Sequence, residues 1–521
     1  MKLLEKRLSS LAPDVLAGSK RGVEKESLRA RPDGTLSSAP HPPGLGSPLT
    51  HPNITTDFSE SQLELITNAH AAIKACLDEL TEIHQFVYRN IGEELLWCAS
   101  MPCKLPADDE IPLARYGTSN VAQAKTVYRR GLSYRYGRRM QTISGLHYNF
   151  SLPDAAWDVL QRVDQDAGAE RPYRDRAYFA LIRNFRRHSW LLLYLFGASP
   201  AVCETFVAGR KHVLQELRHG TLYLPHSTSL RMGPLGYQSD AQASLAVSYN
   251  CLDSYARSLY SALTEPYAPY IAIGTHDGSE YRQLSTTLLQ IENEFYGTIR
   301  PKRRIRPGER PLHALSERGV EYIEVRCMDL DPFSPIGIKA DTMRFLDVFL
   351  LHCLLRESPP DTPEEIAANA RNQHRVALRG REPQLKLERG NGEIALTAWS
   401  EEVLRQCEPL ADALDGAHDT SAYSNVLAAA RHAIAAPEST PSARVLREME
   451  ARHDSSYLQF ALTQSVRHRT YLESLPWTAE ANNRFERLAE ESREAQRRIE
   501  AADSVPFETY RRQYLGLELL S

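Results

Sequence analysis

The sequence has few cysteines and no arrangement of them that would hold a structural metal or a disulfide framework. Eight cysteines are spread over 521 residues, no CxxC pair occurs, and the closest two are Cys98 and Cys103. Small secreted domains and zinc modules carry denser and more regular patterns. We therefore expect a protein of the reducing cytoplasm.

Long apolar runs are also missing. The longest run of apolar and aromatic residues covers positions 190–196, whereas crossing a bilayer takes roughly 20 residues. Leu3, Leu4, Leu8 and Leu11 near the N-terminus are interrupted by charged residues, so this segment lacks the apolar centre of a signal peptide. We predict no membrane span and no membrane partner.

The chain has no excess of positive charge. It carries 62 basic and 66 acidic side chains, with a formal net charge of −4, and its hydrophobic fraction of 42% is ordinary for a globular protein. Basic residues and tyrosines do cluster at 126–140 and 296–310, but no RNA-binding signature accompanies them. We expect no nucleic-acid partner, and solubility explains these clusters more simply.

Several common catalytic motifs are absent. The sequence contains no GxxxxGK[ST] loop, no complete GxGxxG after a strand, no HExxH and no GxSxG. A P-loop NTPase, a Rossmann oxidoreductase, a zincin and an α/β-hydrolase are therefore not indicated. If the protein uses a nucleotide, metal ions and arginines have to hold its phosphates.

The hydrophobic pattern predicts an α+β protein. Strand-like segments occur at 22–30, 54–67, 145–153 and 321–333, helical periodicity covers 69–91 and 171–196, and a loop rich in Pro and Gly runs over 32–53. Beyond residue 340 the pattern is nearly all helical. We predict a mixed or antiparallel sheet flanked by helices in a catalytic region 1–340, with a helical region 341–521 packed on it.

Two predicted strands carry acids that alternation places on one face. In "RGVEKESLR" a period of two puts Glu24 and Glu26 side by side, about 7 Å apart along the strand. In "ITTDFSESQLELIT" three acids, Asp57, Glu60 and Glu64, occur within eight residues. Such acids line either a solvated face or a cation site, and for the second segment alone the solvated face is favoured.

Two further segments offer polar faces of the same kind. "GLHYNFSLP" separates His147, Asn149 and Ser151 from an aromatic set, and "EYIEVRCMDL" places Glu324 and Arg326 on one face. A lone strand histidine is more often a hydrogen-bonded structural residue than a metal ligand. Glu324 and Arg326 form either a plain ion pair or a site that holds a metal beside a phosphate.

Eight blocks follow one another in order from about residue 20 to residue 340: "RGVEKESLR", "ITTDFSESQLELIT", "YGTSN", "RYGRRMQTISGLHYNFSLP", "YLFGASPA", "TSLRMGPLGY", "LQIENEFYGTIRPKR" and "EYIEVRCMDLDPFSPIGI". Together they closely resemble the glutamate–cysteine ligase family of the proteobacterial type. A weaker similarity continues in the C-terminal helices near "AADSVPFETY".

The resemblance implies the first step of glutathione biosynthesis. In this reaction ATP phosphorylates the γ-carboxyl of L-glutamate, and the amine of L-cysteine then attacks the acyl phosphate to give γ-glutamylcysteine, ADP and phosphate. It also implies a curved, mostly antiparallel sheet similar to the catalytic domain of glutamine synthetase, a Mg²⁺ requirement that Mn²⁺ can satisfy, and feedback inhibition by glutathione. We expect a monomer.

The family motifs also imply roles for individual residues. Six are candidate Mg²⁺ ligands, which moves the interpretation of Asp57 and Glu64 to metal binding and leaves Glu60 as the solvated acid. Arg326 and Arg231 are the candidate catalytic arginines. The ligand candidates are Glu24, Glu26, Asp57, Glu64, His147 and Glu324, and the substrate-binding candidates are Tyr128, Arg129, Tyr237, Tyr296, Arg300 and Lys302.

Three consequences stay open at the level of sequence. Asp57 and Glu64 are an odd number of residues apart, so sharing a face requires a bend or bulge near residues 59–61. The Gly-Pro in "RMGPLGY" could reshape the loop that holds Tyr237 and with it the cysteine pocket. A ligase with another amine acceptor and a non-catalytic binding module remain as alternatives.

Overall fold

The computed structural model describes residues 2–236, 240–243, 245, 247–306 and 308–516, so Tyr237 lies outside the described residues. Within these ranges the strands are β1 (Lys20–Ala30), β2 (Ile54–Thr56), β3 (Gln62–Ile66), β4 (Leu95–Leu96), β5 (Leu146–Ser151), β6 (Ala201–Cys203), β7 (Gln215–Glu216), β8 (Thr221–Tyr223), β9 (His276–Asp277), β10 (Glu280–Tyr281), β11 (Ile299–Lys302), β12 (Tyr322–Met328), β13 (Lys386–Arg389) and β14 (Gly392–Ala395).

Helices make up most of the remaining regular structure. Up to residue 318 they are α1 (Lys2–Leu8), α2 (Pro13–Ala17), α3 (Ile73–Tyr88), α4 (Asn120–Tyr136), α5 (Arg138–Gln141), α6 (Asp154–Val163), α7 (Glu170–His188), α8 (Trp190–Phe196), α9 (Asp240–Ala243), α10 (Leu252–Thr264), α11 (Ala268–Ile273) and α12 (Pro311–Arg318). After it come α13 (Ala340–Leu355), α14 (Pro363–Arg379), α15 (Leu396–His418), α16 (Ala422–Ala435), α17 (Pro441–Arg452), α18 (Tyr457–Ser474), α19 (Ala479–Ala502) and α20 (Phe507–Tyr514).

One antiparallel sheet carries the predicted site. Its strands follow the order β11-β12-β5-β1-β3-β2, and β4 pairs with the end of β1. Every strand pair in it is antiparallel. The predicted α+β class with an antiparallel sheet and flanking helices is therefore confirmed.

Strand β1 runs through the centre of this sheet, and its alternation works as predicted. Val23 and Lys25 are buried on the face that meets the helices, while Glu24 and Glu26 lie on the opposite face. The pairing register puts Glu24 opposite His147 on β5 and Glu26 opposite Glu64 on β3. The register alone thus brings two acids of β1, one acid of β3 and the histidine of β5 to one face.

The segment 54–67 differs from the predicted single strand. It forms a hairpin in which β2 pairs with β3, with Thr56 opposite Leu63 and Thr55 opposite Glu64. The chain reverses over residues 57–61, where the backbone N–H of Asp57 donates to the carbonyl of Gln62. A complete reversal therefore takes the place of the expected bend or bulge near residues 59–61.

The back face of the sheet packs on helices from both predicted regions. The largest apolar cluster contains Val23, Leu65 and Tyr148 from the sheet together with Phe349 and Leu404 from helices beyond residue 340. This is the packing expected of a helical C-terminal region that covers the catalytic part. The boundary at residue 340 itself stays a prediction.

Region 341–521 is helical as predicted over its described residues, apart from the small β13–β14 hairpin. Across the described part of the chain, none of the helices has the length and apolar character needed to span a membrane. The last helix of region 341–521, α20, lies against α4, where Phe507 and Tyr510 pack beside Val127 and Leu284.

Candidate active site

Carboxylates from three strands surround the imidazole of His147 on the open face of the sheet. Its Nδ1 lies 3.1 Å from Glu24 Oε2 and 3.7 Å from Glu324 Oε1, and its Nε2 lies 3.7 Å from Glu26 Oε1. One ligand atom each from Glu24, Glu64 and His147 lie within 4.8 Å of one another. The predicted strand acids therefore converge on one small volume.

Asp57 reaches the same volume from the reversal between β2 and β3. Its negative charge is one of the causes that raise the pKa values of Glu26 and Glu64, which requires it to be close to both. All six candidate ligands predicted from the sequence are thus brought together.

The charges of this cluster are not evenly balanced. Burial, together with the charges of neighbouring carboxylates, raises the pKa of Glu64 well above its ordinary value and that of Glu26 to about 8. Burial acts in the same direction on Glu324, but the charges of Lys302 and Arg326 outweigh it and hold its pKa well below the ordinary range. The acids on the β1–β3 side are therefore less compensated by positive charge than Glu324 is.

The donor set on this side fits a hard divalent cation. Carboxylate oxygens are the ligands such ions prefer, and clustered carboxylates repel one another unless a cation lies between them. Burial, followed by the charge of Arg326, lowers the pKa of His147, which favours a neutral imidazole. Its Nε2 is buried and has no hydrogen-bond partner among the described residues, so a lone pair is available there or at Nδ1.

Basic residues border the cluster on the β11–β12 side. Arg326 Nη1 lies 3.2 Å from Glu324 Oε2, and Lys302 Nζ lies 3.3 Å from Glu324 Oε1. Arg300, opposite Glu324 in the register, donates through Nη2 to the carbonyls of residues 293 and 295. The plain ion pair and the mixed metal–phosphate site are therefore both compatible with the position of Glu324.

Arg231 approaches the same region from the loop after β8. It is buried, and its Nη2 donates to the carbonyl of Arg326 at 2.8 Å while Nη1 lies 3.9 Å from Asp329. The side chain rests directly on Gly145, whose backbone N–H donates to Glu26 Oε2 at 2.6 Å. The two candidate catalytic arginines are therefore neighbours in the structure.

The aromatic candidates lie on or beside helices α4 and α5. Gln141 Nε2 donates to the hydroxyl of Tyr296 at 2.7 Å, and the Tyr296 ring meets that of Tyr136 edge-on at 5.7 Å. Tyr128 is half-buried on α4 next to Arg129, whose Nε donates to the carbonyl of Asp57. Tyr128 thus lies on the helix that reaches the loop of Asp57, and Tyr296 lies against the C-terminal end of the same helix.

Glu60 was expected to be the solvated acid, and this prediction is wrong. The residue is 7% exposed, and its two carboxylate oxygens accept hydrogen bonds from the backbone N–H groups of His41 and Arg115, both at 2.8 Å. Glu60 ties the loop 32–53 and the segment before α4 to the reversal that carries Asp57. Its partners are backbone groups of loops, which leave no pattern in the sequence.

Other contributors were only partly visible in the sequence. Asn149 belongs to the polar face noted for β5, and its Nδ2 donates to Glu24 Oε1 at 2.9 Å. Tyr116 is buried and donates its hydroxyl proton toward the carbonyls of Thr56 and Asp57, at 2.5 and 2.8 Å. "YGTSN", which begins with Tyr116, was among the blocks shared with the family, but no residue role was predicted for it.

Comparison with known proteins adds independent findings. The sequence model of the glutamate-cysteine ligase family matches residues 5–376. A glutamate–cysteine ligase of Alcanivorax borkumensis is 47% identical over 523 residues, covering 99% of each chain, and one of Pseudomonas entomophila is 49% identical over 510 residues, covering 98% of this chain and 96% of the relative.

Solved structures give the same picture. The crystal structure of a glutamate–cysteine ligase from Francisella tularensis in complex with AMP superposes with a TM-score of 0.90 at 35% identity, covering 96% of this chain and 97% of the other. A bifunctional glutathione synthetase from Pasteurella multocida superposes with a TM-score of 0.73 at 25% identity, covering 93% of this chain and 57% of the other.

Proposed function

The chain belongs to the glutamate–cysteine ligase family, and from that premise we propose that its acid-lined sheet is where ATP, glutamate and cysteine meet. The activity is the ATP-dependent joining of the glutamate γ-carboxyl to the cysteine amine, the first step of glutathione biosynthesis. A carboxylate is a poor acyl donor, so ATP first converts it to γ-glutamyl phosphate. The cysteine amine then attacks the acyl carbon, a proton leaves the nitrogen, and phosphate departs.

The observation that carries the proposal is the convergence of acids and one imidazole from β1, β3, β5 and β12. We propose that Mg²⁺ is held by these side chains; when bound, it would neutralise the charge of the phosphoryl group in transfer. The holding residues are Glu24, Glu26, Asp57, Glu64, His147 and Glu324.

The arginines have a separate task in this proposal. Arg326 and Arg231 lie beside the acid cluster on its β12 side, where a planar guanidinium can bind two oxygens of a phosphate. Both are largely buried, so their charge acts in a poorly hydrated environment and their geometry is set before the substrate arrives. They would orient the phosphoryl group and stabilise the negative charge on the acyl phosphate.

The remaining candidates would bind the amino acids. The proposed cysteine pocket would use Tyr128, which lies near Arg129 on α4, and Tyr296, which contacts Tyr136 of the same helix, together with Tyr237. Arg129, Arg300 and Lys302 supply positive charge for substrate carboxylates or phosphates. A cysteine pocket has to accept a thiol side chain and refuse larger ones.

Four broader expectations belong to the same proposal. The eight cysteines, all among the described residues, are unpaired, and both this and the use of ATP support a cytoplasmic location. Mn²⁺ should substitute for Mg²⁺ because it accepts the same oxygen and imidazole ligands. Inhibition by glutathione at the glutamate site and a monomeric state remain predictions.

The test is release of ADP by the purified protein with ATP, Mg²⁺ and glutamate, with cysteine, 2-aminobutyrate, putrescine or no acceptor. We expect ADP and γ-glutamylcysteine with cysteine, and loss of both in E324Q, which removes one charge from the centre of the site. The matched control is E393Q, because Glu393 on β14 is half exposed and pairs only with Arg375 among the described residues.

The outcomes separate the parts of the proposal. Turnover with cysteine that EDTA abolishes and excess Mg²⁺ restores supports the metal site as well as the reaction. Turnover with putrescine but not cysteine would overturn the assigned acceptor. Equal activity of E324Q and E393Q would overturn the assignment of the acid cluster as the reaction centre.

A further inference from the structure

Helix α4 presents more than the two residues that the family motifs pick out. Lys125, Tyr128 and Arg129 are spaced i, i+3 and i+4, so they lie on one face of the helix. Lys125 Nζ lies 5.0 Å from the centre of the Tyr116 ring, and Arg129 Cζ lies 4.7 Å from it. Two cations therefore share one aromatic platform at the edge of the acid cluster.

The platform itself is held in place. Tyr116 is 1% exposed, and its hydroxyl donates to the carbonyls of Thr56 and Asp57, which fixes the ring against the reversal of the β2–β3 hairpin. The ring therefore has a fixed position relative to the backbone of Asp57. A cation that contacts the ring is held near Asp57 and Glu64. Positioning of this kind favours a binding role over a surface role.

The hydrogen-bond donors of this pair are not used up. Arg129 donates through Nε to the carbonyl of Asp57 and through Nη1 to the carbonyl of Lys125 at 3.1 Å. For Lys125 Nζ, no described residue accepts a hydrogen bond or forms an ion pair within 4.0 Å, although the side chain is only partly exposed. An ammonium group offers three donors, and two neighbouring cations repel unless an anion lies between them.

The charged groups around Lys125 leave room for such an anion. Asp57 and Glu64 attract it and Arg129 repels it, but neither carboxylate pairs with it directly. Both carboxylates belong to the proposed metal site, so the ammonium group of Lys125 is left to bind an additional anionic group. The β11–β12 side of the site has its own cations, Arg300, Lys302 and Arg326, so the two cationic sides lie on opposite flanks of the acids.

We propose that Lys125 is a substrate-binding residue that holds an anionic oxygen, a carboxylate or a phosphoryl oxygen, at the α4 side of the site. The inference rests on the proposed function and adds a residue to it. Arg129 assists through Nη2, which is not used in its two hydrogen bonds to backbone carbonyls. The Tyr116 ring holds both cations beside the acid cluster. Removal of the ammonium group removes the charge-assisted hydrogen bond and leaves the helix intact.

The test compares K125M, K125R and the wild type in steady-state turnover, varying ATP, glutamate and cysteine in turn. Methionine keeps the length and packing of the lysine stem without its charge, and arginine keeps the charge. We expect KM for one of the three substrates to rise about 10- to 100-fold in K125M, the range that loss of a charged hydrogen bond produces, and to recover partly in K125R. K74M serves as the control, since Lys74 on α3 is 85% exposed.

The substrate whose KM changes identifies the anion. A higher KM for ATP shows that Lys125 binds a phosphoryl oxygen of the nucleotide. A higher KM for glutamate or cysteine shows that it binds the carboxylate of that amino acid. Unchanged KM values for all three in a K125M protein that melts like the wild type overturn the inference. If K125M has a much lower melting temperature than the wild type, the KM values of K125Q, which lacks the charge, are compared with those of K125R, which keeps it. Absence of γ-glutamylcysteine with the wild type would instead contradict the proposed function.

Discussion

Neighbouring residues of β1 point to opposite faces of the sheet, and their side chains therefore lie in different environments. Glu24 and Glu26 face the acid cluster, whereas Lys25 between them is buried behind it, with its Nζ 2.8 Å from His84 Nε2. Burial lowers the pKa of Lys25 to about 7, from an ordinary value of 10.5. A lysine in this position costs stability at neutral pH, because the unfolded chain holds the proton more tightly than the folded one does.

This cost predicts a dependence of stability on pH. Between pH 7 and 10.5 the unfolded chain binds the proton that the folded chain has lost, so the free energy of unfolding of the wild type should gain about 1.4 kcal/mol per pH unit relative to K25M. Urea unfolding of both proteins at pH 7, 8 and 9 measures this difference. The free energies of unfolding of the wild type and K74M should change with pH in parallel. The same parallel change for the wild type and K25M would show that Lys25 keeps its ordinary pKa in the folded protein.

Gly145 is a second residue whose role depends on its neighbours. A Cβ atom at this position would lie 2.1 Å from Arg231 Nη2 and 2.8 Å from its Cζ. Because Arg231 is buried, its guanidinium cannot move aside without losing its contact with the carbonyl of Arg326. We expect G145A to lower kcat about 100-fold, the effect of a displacement of about 1 Å at a reacting group, with little change in melting temperature.

The control for this variant is G392A, since no heavy atom lies within 4 Å of the Cβ position at Gly392. Both proteins are compared in the ADP-release assay and by thermal melting. Wild-type kcat in G145A would mean that Arg231 does not act in the reaction or that the site accommodates the extra methyl group.

Single residues were predictable where strand alternation governed them. The period of two placed Glu24, Glu26, His147 and Glu324 on faces that the structure indeed brings together. Glu60 followed a different rule, because its carboxylate caps backbone N–H groups at His41 and Arg115. Lys125 was overlooked because only its position relative to the Tyr116 ring distinguishes it from a surface lysine.

At the scale of secondary-structure elements, the C-terminal helix α20 acts on the site through α4. Glu508 Oε2 accepts a hydrogen bond from the Tyr281 hydroxyl at 2.8 Å, and Arg511 Nη1 donates to the carbonyl of Leu284 at 2.5 Å. Phe507 and Tyr510 complete an apolar cluster with Val127 of α4. The same cluster includes Tyr128, so α20 braces α4 next to one of the proposed substrate-binding residues.

Truncation after residue 505 should therefore weaken substrate binding without unfolding the sheet. We expect KM for at least one of glutamate and cysteine to rise severalfold, because α4 would no longer hold Tyr128 and Arg129 in register with the acids. Truncation after residue 516 leaves α20 in place and is the control. Unchanged KM values in the shorter protein would show that α4 is held by its other contacts alone.

The elements themselves were predictable to different degrees. The helices at 73–88 and 170–196 and the central strands follow from periodicity, which reports how one face is buried. The β2–β3 hairpin was missed because its reversal uses Asp57, Phe58 and Ser59 rather than a Gly-containing turn. The order of the strands depends on contacts between distant segments, and no local pattern encodes it.

On the scale of the whole molecule, a buried ion pair connects the central strand with the region beyond residue 340. Arg21 on β1 and Asp347 on α13 are each 1% exposed at their side chains and 3.1 Å apart, and the Tyr148 hydroxyl donates to Asp347 at 2.7 Å. The pair crosses the proposed boundary at residue 340. The two regions therefore share polar as well as apolar contacts in their common interior.

Breaking this pair should destabilise the protein strongly. D347A leaves the Arg21 charge buried without its partner, and we expect a loss of about 3–5 kcal/mol in the free energy of unfolding. The double variant R21M/D347L removes both charges and should recover part of that loss. Urea unfolding measures each variant. A loss below about 1 kcal/mol in D347A would mean that water reaches Arg21 and solvates it.

The register of β1, β3 and β5 also restricts how this site can change in evolution. Glu26 faces Glu64, and Glu24 faces His147, across adjacent strands. Deleting one residue from any of these strands would exchange the two faces of its remaining part and bring side chains such as Lys25 to the front. Lineages of this protein are thus free to gain and lose residues in surface loops, whereas the strands can diverge only by substitution.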